Sequence, residues 1–156
     1  VSGEDFEPKI HRFSEEAGGY RWPELPLKDY PATGTRSRGM TKQVLFDSNT
    51  YLSSELRYFE ADPAGYSALE RHDHVHTVVI IRGSGHVLMG DRIEPVSIYD
   101  VLYIPPRTWH QFYAAPETHL GFLCLVEGER DRPLRPAPEE IEELRRNPAL
   151  RDWVKG

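Results

Sequence analysis

The sequence predicts an all-β domain, a sandwich or closed barrel, from three observations. From about Thr41 onward, short apolar or alternating stretches follow one another with turn chemistry between them. Nothing between them is long enough to be a crossover helix, which argues against a parallel sheet. Residues 70–85 hold three of the chain's seven histidines and then become wholly apolar, as a strand does on entering a core.

Each element follows in order. Residues 1–40 are rich in proline, glycine and charge and predict an extended arm, anchored by Trp22-Pro23-Glu24-Leu25-Pro26-Leu27. Such an arm lies on its own domain, pairs with a sheet edge or reaches a partner subunit. His11 stands alone among charges and is expected to be solvated. Residues 41–130 form the β-domain. Its first strands are residues 42–46 and 52–60, and Asp62-Pro63-Ala64-Gly65-Tyr66 reads as a turn.

The histidine strand comes next. Successive strand side chains alternate faces, so Glu70, His72, His74 and His76 share one side, with Arg71, Asp73, Val75 and Thr77 on the other. Val78-Val79-Ile80-Ile81 is β-branched throughout. Gly83-Ser84-Gly85 reads as a turn, residues 86–89 as its hairpin partner, and Gly90-Asp91 as the following turn. Residues 93–97 and 100–104 are further strands, the latter stopped by Pro105-Pro106. Residues 107–113 continue the sheet, with His110 and Phe112 on one face, and residues 120–127 are the last long strand.

The tail, residues 131–156, changes character. Residues 139–147 carry acids in the first turn and bases in the last, which suits the helix dipole, with Pro138 in the first turn and Pro148 as a stop. Ile141, Leu144, Leu150 and Trp153 form its packing side.

Composition narrows the function. At 156 residues the chain is one domain with a proper core. A net charge of −6 and the lack of a basic stripe argue against nucleic acid as partner. Cys124 is the single cysteine, which excludes an intrachain disulfide, and its apolar neighbours predict a buried, inert thiol. No apolar run is long enough to cross a membrane as a helix, and the charged start Val1-Ser2-Gly3-Glu4-Asp5 is unlike a signal peptide, so a soluble, cytoplasmic protein is expected. Because residue 1 is valine, the numbering is expected to begin inside a longer chain or after processing.

The histidine face converges four side chains of the kind that first-row divalent metals accept, so one divalent ion per chain is expected, Fe, Mn, Cu, Ni or Zn. Such a site binds an enolate, phenolate or carboxylate and acts as a Lewis acid. Glu70 is then an anionic ligand or the base that takes a substrate proton, and His74 a ligand, a pocket base or a supporting group. The expected pocket comprises Tyr58, Ile80, Tyr103, Trp109 and Phe112. Arg57 and Arg82 pair either a substrate carboxylate or protein acids.

These residues resemble the two motifs of the cupin superfamily, roughly G-x5-H-x-H-x3,4-E-x6-G and G-x5-P-x-G-x2-H-x3-N, over about residues 60–115. With Gly83 as the last glycine of the first motif, Glu70, His72 and His76 fall on its ligand positions. The run from Asp100 to His110 resembles the second motif and makes His110 the fourth ligand. Family members usually carry histidine first and glutamate third, an order reversed here. Arg107 and Tyr99 replace motif glycines, and Ala114 replaces the final asparagine. The resemblance implies a jelly-roll (double-stranded β-helix) barrel with the metal in its mouth, and a homodimer. It further implies a small single-domain enzyme similar to quercetinase-like dioxygenases, an oxidoreductase acting on a small enolic, phenolic or diketone substrate. The alternatives it leaves open are a metal-dependent isomerase, decarboxylase or lyase, or a cupin that binds metal or ligand without turnover.

Overall fold

The computed structural model describes residues 7–30 and 36–156. The charged start at residues 1–5 and part of the expected arm therefore lie outside the described residues. Ten strands and one helix follow in order: β1 (Ser14–Glu16), β2 (Gly19–Arg21), β3 (Lys28–Asp29), β4 (Arg38–Phe46), β5 (Ser54–Tyr66), β6 (His76–Met89), β7 (Arg92–Ser97), β8 (Val101–Ile104), β9 (His110–Ala114), β10 (Leu120–Glu127) and α1 (Pro138–Arg146).

Two long strands close the barrel. β5 pairs with β10 along its first part and meets β9 at Tyr66, while β6 pairs with β10 first and with β9 from Gly85 onward. The ring β5–β9–β6–β10 is thus complete, with β4 and β3 extending one side and β7 and β8 pairing with β6. All pairings are antiparallel.

Closure corrects two sequence expectations. Residues 62–66 and 83–85 are not turns but corners inside β5 and β6. Ala64 (φ 60°) and Gly83 (φ 66°) take left-handed backbone, which here bends a strand from one sheet to the next instead of reversing it. Side chains are excluded at these corners, since a Cβ on Gly83 would strike the His119 carbonyl and one on Gly85 the Tyr113 carbonyl. Residues 86–89 therefore continue β6, and the hairpin to β7 is made at Gly90-Asp91.

The interior is apolar, with Val78, Ile80, Val87, Ile104, Phe112, Leu120 and Phe122 among its buried members. A second cluster of Leu69, Leu88, Tyr113, Leu150 and Val154 receives Ile141, Leu144 and Trp153 from the tail, which holds α1 on the barrel.

The arm folds onto the outside. β1 and β2 form a hairpin, and β3 adds to the edge of β4. Trp22 is fixed by Gln43, which accepts from its N–H (3.1 Å) and donates to its carbonyl (3.0 Å). His11 is not solvated as expected. It contacts Glu24 at 2.6 Å and lies 4.8 Å from the Phe46 ring.

Candidate metal centre

The four alternating residues do lie buried on one side, yet they are not a strand. Glu70, His72, His74 and His76 are buried, whereas Asp73 and Thr77 are exposed. The ladder of β6 begins only at His76, and residues 72–75 form a loop held by other partners. The Arg107 N–H donates to the His72 carbonyl (2.7 Å), and the Asp131 carboxylate accepts the N–H groups of Asp73 (2.8 Å) and His74 (3.0 Å). A carboxylate from the tail thus takes the place of a neighbouring strand.

The turn carrying Arg107 explains the missing motif glycine. Arg107 has φ 59° and Tyr99 has φ 72°, so both keep the left-handed backbone that glycine would adopt freely. Arg107 also reaches Asp73 (2.9 Å), tying this turn to the histidine loop. His110 then pairs across the backbone with Glu70, each N–H donating to the other's carbonyl (3.0 and 3.2 Å).

His72, His76 and His110 offer ring nitrogens that all lie within 4.8 Å of one another. His72 Nδ1 contacts the His74 carbonyl (2.7 Å), and His110 Nδ1 contacts the Thr108 carbonyl (2.9 Å). A carbonyl only accepts, so each Nδ1 carries the proton and each Nε2 a lone pair. Both Nε2 atoms are buried without a hydrogen-bond partner. Unsatisfied buried nitrogens are costly, and a divalent cation is the partner that a cluster of lone pairs suits.

Electrostatics favour the same state. Burial, followed by neighbouring His110, lowers the His72 pKa to about 4. Burial and His110 push His76 down further, and burial also lowers His110 despite the opposing pull of Glu70. All three imidazoles are neutral near pH 7, the form that binds metal.

Glu70 and His74 flank this triad. Glu70 Oε1 is 3.8 Å from His110 Nε2, and Arg135 donates to Glu70 Oε2. His74 Nε2 is 3.2 Å from His76 Nε2, and its Nδ1 meets the Asp131 carboxylate at 2.7 Å. Asp131 is held below the usual carboxylate range: burial opposes this, but the Asp73 and His74 N–H groups and the His74 ring prevail. The two flanking side chains are thus each gripped from the tail.

A small cavity of about 30 Å³ adjoins the triad, walled by Tyr30, Met40, Phe59, Phe112, Phe122 and Cys124 beside Glu70, His76 and His110. Of the pocket residues expected from sequence, Phe112 alone lies here. Tyr58 is directed to Glu60 outside the barrel (2.7 Å), and Ile80 lies in the core. Tyr103 is exposed, and Trp109 packs under the tail with Arg71 over its ring. Face parity alone does not separate the cavity wall from the core beyond it. Arg82 pairs with Glu60 (2.8 Å), and Arg57 is buried against Cys124 Sγ (3.2 Å). Sequence reasoning missed Met40, Phe59, Phe122 and Cys124 in the cavity wall, and with them Tyr30, Arg135 and Asp131. The last three come from the arm and the tail.

Comparison with known proteins agrees with this architecture. No protein-family model matches the chain. It is 44% identical over 138 residues to a 1-methylthio-D-xylulose 5-phosphate methylsulfurylase of Rhodospirillum rubrum, covering 88% of each chain. A cupin 2 conserved barrel domain protein from Rhodopseudomonas palustris superposes with a TM-score of 0.82 at 39% identity, over 93% of this chain and 99% of that one. A cupin-2 domain protein from Rhodospirillum rubrum gives 0.82 at 42% identity, over 90% and 95%. The named curated relative is a methylsulfurylase and not a dioxygenase, so the expected oxidoreductase class gains no support from it. Closed jelly-roll barrel, clustered histidines at its mouth and likeness to these proteins over most of the given sequence agree: the chain belongs to the cupin superfamily, among its cupin-2 barrel proteins.

Proposed function

We propose that this protein is a metal-dependent enzyme that removes a methylthio group from a carbon next to a ketone, in a phosphorylated ketose such as 1-methylthio-D-xylulose 5-phosphate. The observation that carries this reading is 44% identity to the methylsulfurylase across 88% of both chains. The site's chemistry agrees with it. His72, His76 and His110 would hold a divalent ion, with Glu70 or His74 beside them. When bound, that ion supplies Lewis-acid polarisation of a substrate oxygen.

The chain's own residues do the rest. The cavity next to the triad is small and walled by Phe59, Phe112 and Phe122 with two sulfur side chains, Met40 and Cys124. It suits a methylthio group, which gains from apolar burial and from sulfur–aromatic contact. Tyr30 has its hydroxyl pushed up to about 12 by burial and then by Glu70, so near neutral pH it stays protonated and can donate to a substrate oxygen. Glu70 Oε1 is the carboxylate oxygen nearest His110 and is placed to accept a proton.

The bond balance favours transfer of sulfur over simple loss of thiolate. Thiolate leaving with both electrons would leave positive charge beside a carbonyl. If a thiol co-substrate takes the CH₃S group as a disulfide, the C–S electron pair enters the ketone's enolate. The thiol proton then ends on carbon.

The test is incubation of metal-loaded protein with 1-methylthio-D-xylulose 5-phosphate, with and without a small thiol, followed by phosphorus NMR and oxygen uptake. Thiol-dependent formation of the deoxyketose phosphate without oxygen consumption is expected. Oxygen consumption stoichiometric with substrate loss would restore the dioxygenase reading, and an unchanged substrate would refute the methylthio assignment.

A further inference from the structure

Resting on the reading of the substrate as a sugar phosphate, we propose that Arg36, Arg135 and Lys155 form the seat of its phosphate, beside the metal centre. These three cations border a surface depression of about 190 Å³ floored by Ala68, Leu69 and Ile141, with Pro136 and Gly156 at its rim. No acidic side chain lines it, in a chain whose 25 acidic residues outnumber its 19 lysines and arginines. Arg135 uses one amino group on Glu70 and keeps further N–H donors for an anion. Arg36 and Lys155 have no side-chain ion-pair or hydrogen-bond partner among the described residues.

The depression is built from fixed backbone. Fully buried Gln111 clamps Lys155, accepting from its N–H (3.1 Å) and donating to its carbonyl (2.9 Å). Leu134 and Arg71 exchange backbone hydrogen bonds (2.7 and 3.1 Å), which places the neighbouring Arg135.

Its position matches the chemistry. Along residues 67–70, Ser67 and Glu70 border the cavity beside the triad, while Ala68 and Leu69 floor the depression. Arg135 joins the two by gripping Glu70, whose other oxygen is 3.8 Å from His110. The proposed ligand would set its carbonyl at the triad and its phosphate, several bonds away, on the Arg135 side of Glu70. Bidentate guanidinium contacts then discriminate the phosphate from a bare hydroxyl.

The experiment is calorimetric titration of the metal-loaded full chain with D-xylulose 5-phosphate and with D-xylulose. The phosphorylated sugar is expected to bind at least about tenfold tighter, and Arg36→Gln combined with Lys155→Gln to erase about that factor. The charge-keeping pair Arg36→Lys and Lys155→Arg should retain most of the preference, whereas Arg92→Gln with Arg151→Gln should leave it untouched. No preference in the native protein overturns the seat, as does a preference that survives the double glutamine variant or falls equally in the distant pair. The two readings fail separately. A charge-dependent preference for phosphate without methylthio cleavage refutes the reaction alone, while cleavage with kcat/KM unchanged in the glutamine pair refutes the seat alone.

Discussion

Two buried polar clusters in this protein look alike by burial and differ in satisfaction. On the outer face of the barrel, buried Glu60 accepts from the Tyr58 hydroxyl (2.7 Å), the Tyr20 N–H (3.0 Å), Arg82 (2.8 Å) and Arg21 (3.1 Å). Each of its oxygens is engaged, and the network fastens the arm to β5 and β6. At the barrel mouth, His72 and His110 are equally buried, yet their Nε2 atoms have no partner. Burial of ionisable groups therefore does not by itself mark function here. The marker is a convergence of buried, unpaired lone pairs: the other unpartnered buried nitrogen, Arg57 Nε, is a lone N–H donor 3.6 Å from Glu55, whereas His72 and His110 present acceptors to one point.

The sharpest way to break this contrast is to remove a ligand. His76→Ala or His110→Ala should lose most bound metal by elemental analysis, because each substitution opens the site, and undiminished stoichiometry would overturn the assignment. His86→Ala and His119→Ala should leave metal content unchanged.

Glu60→Ala should do the opposite. It leaves Arg21 and Arg82 without their buried carboxylate and should cost about 3 kcal/mol in denaturant unfolding while metal stoichiometry is retained. Metal loss in that variant, measured under conditions where it is folded, would merge the two clusters into one.

A smaller effect is expected one shell out. Asp131→Asn should weaken metal affinity by about tenfold, since Asp131 orients His74 and holds the histidine loop. Comparing Glu70→Ala with His74→Ala in the same titration identifies the fourth ligand, as the one whose loss costs more.

The histidines also set a pH response. The folded His72 pKa is lowered to about 4, and His76 and His110 are lowered as well, so below the ordinary histidine value of 6.5 the unfolded chain binds more protons than the folded one. Metal-free protein should lose thermal stability as pH falls from about 6.5 towards about 4. A flat melting temperature across that window would show that these histidines are not buried neutral. The smallest change is Tyr99→Gly. It relieves left-handed backbone at φ 72° and should raise stability by about 0.5–1 kcal/mol, read as a small rise in Tm.

By itself the sequence determined the all-β class, the positions of most strands, the packing helix and the cluster of histidines with His110, because hydrophobic periodicity and residue chemistry are local signals. It also carried the alternation that buries Glu70, His72, His74 and His76 together. Only the tertiary structure decided that the turn-like stretches at residues 62–66 and 83–85 bend strands instead of ending them, because a positive φ permits either outcome and closure of the barrel selects one. It also decided that Arg135 grips Glu70, that Asp131 replaces a strand beside His74, and that Tyr30 lines the cavity. Those contacts join residues tens of positions apart, whose meeting depends on where the arm and tail settle on the finished barrel, and no local pattern encodes that.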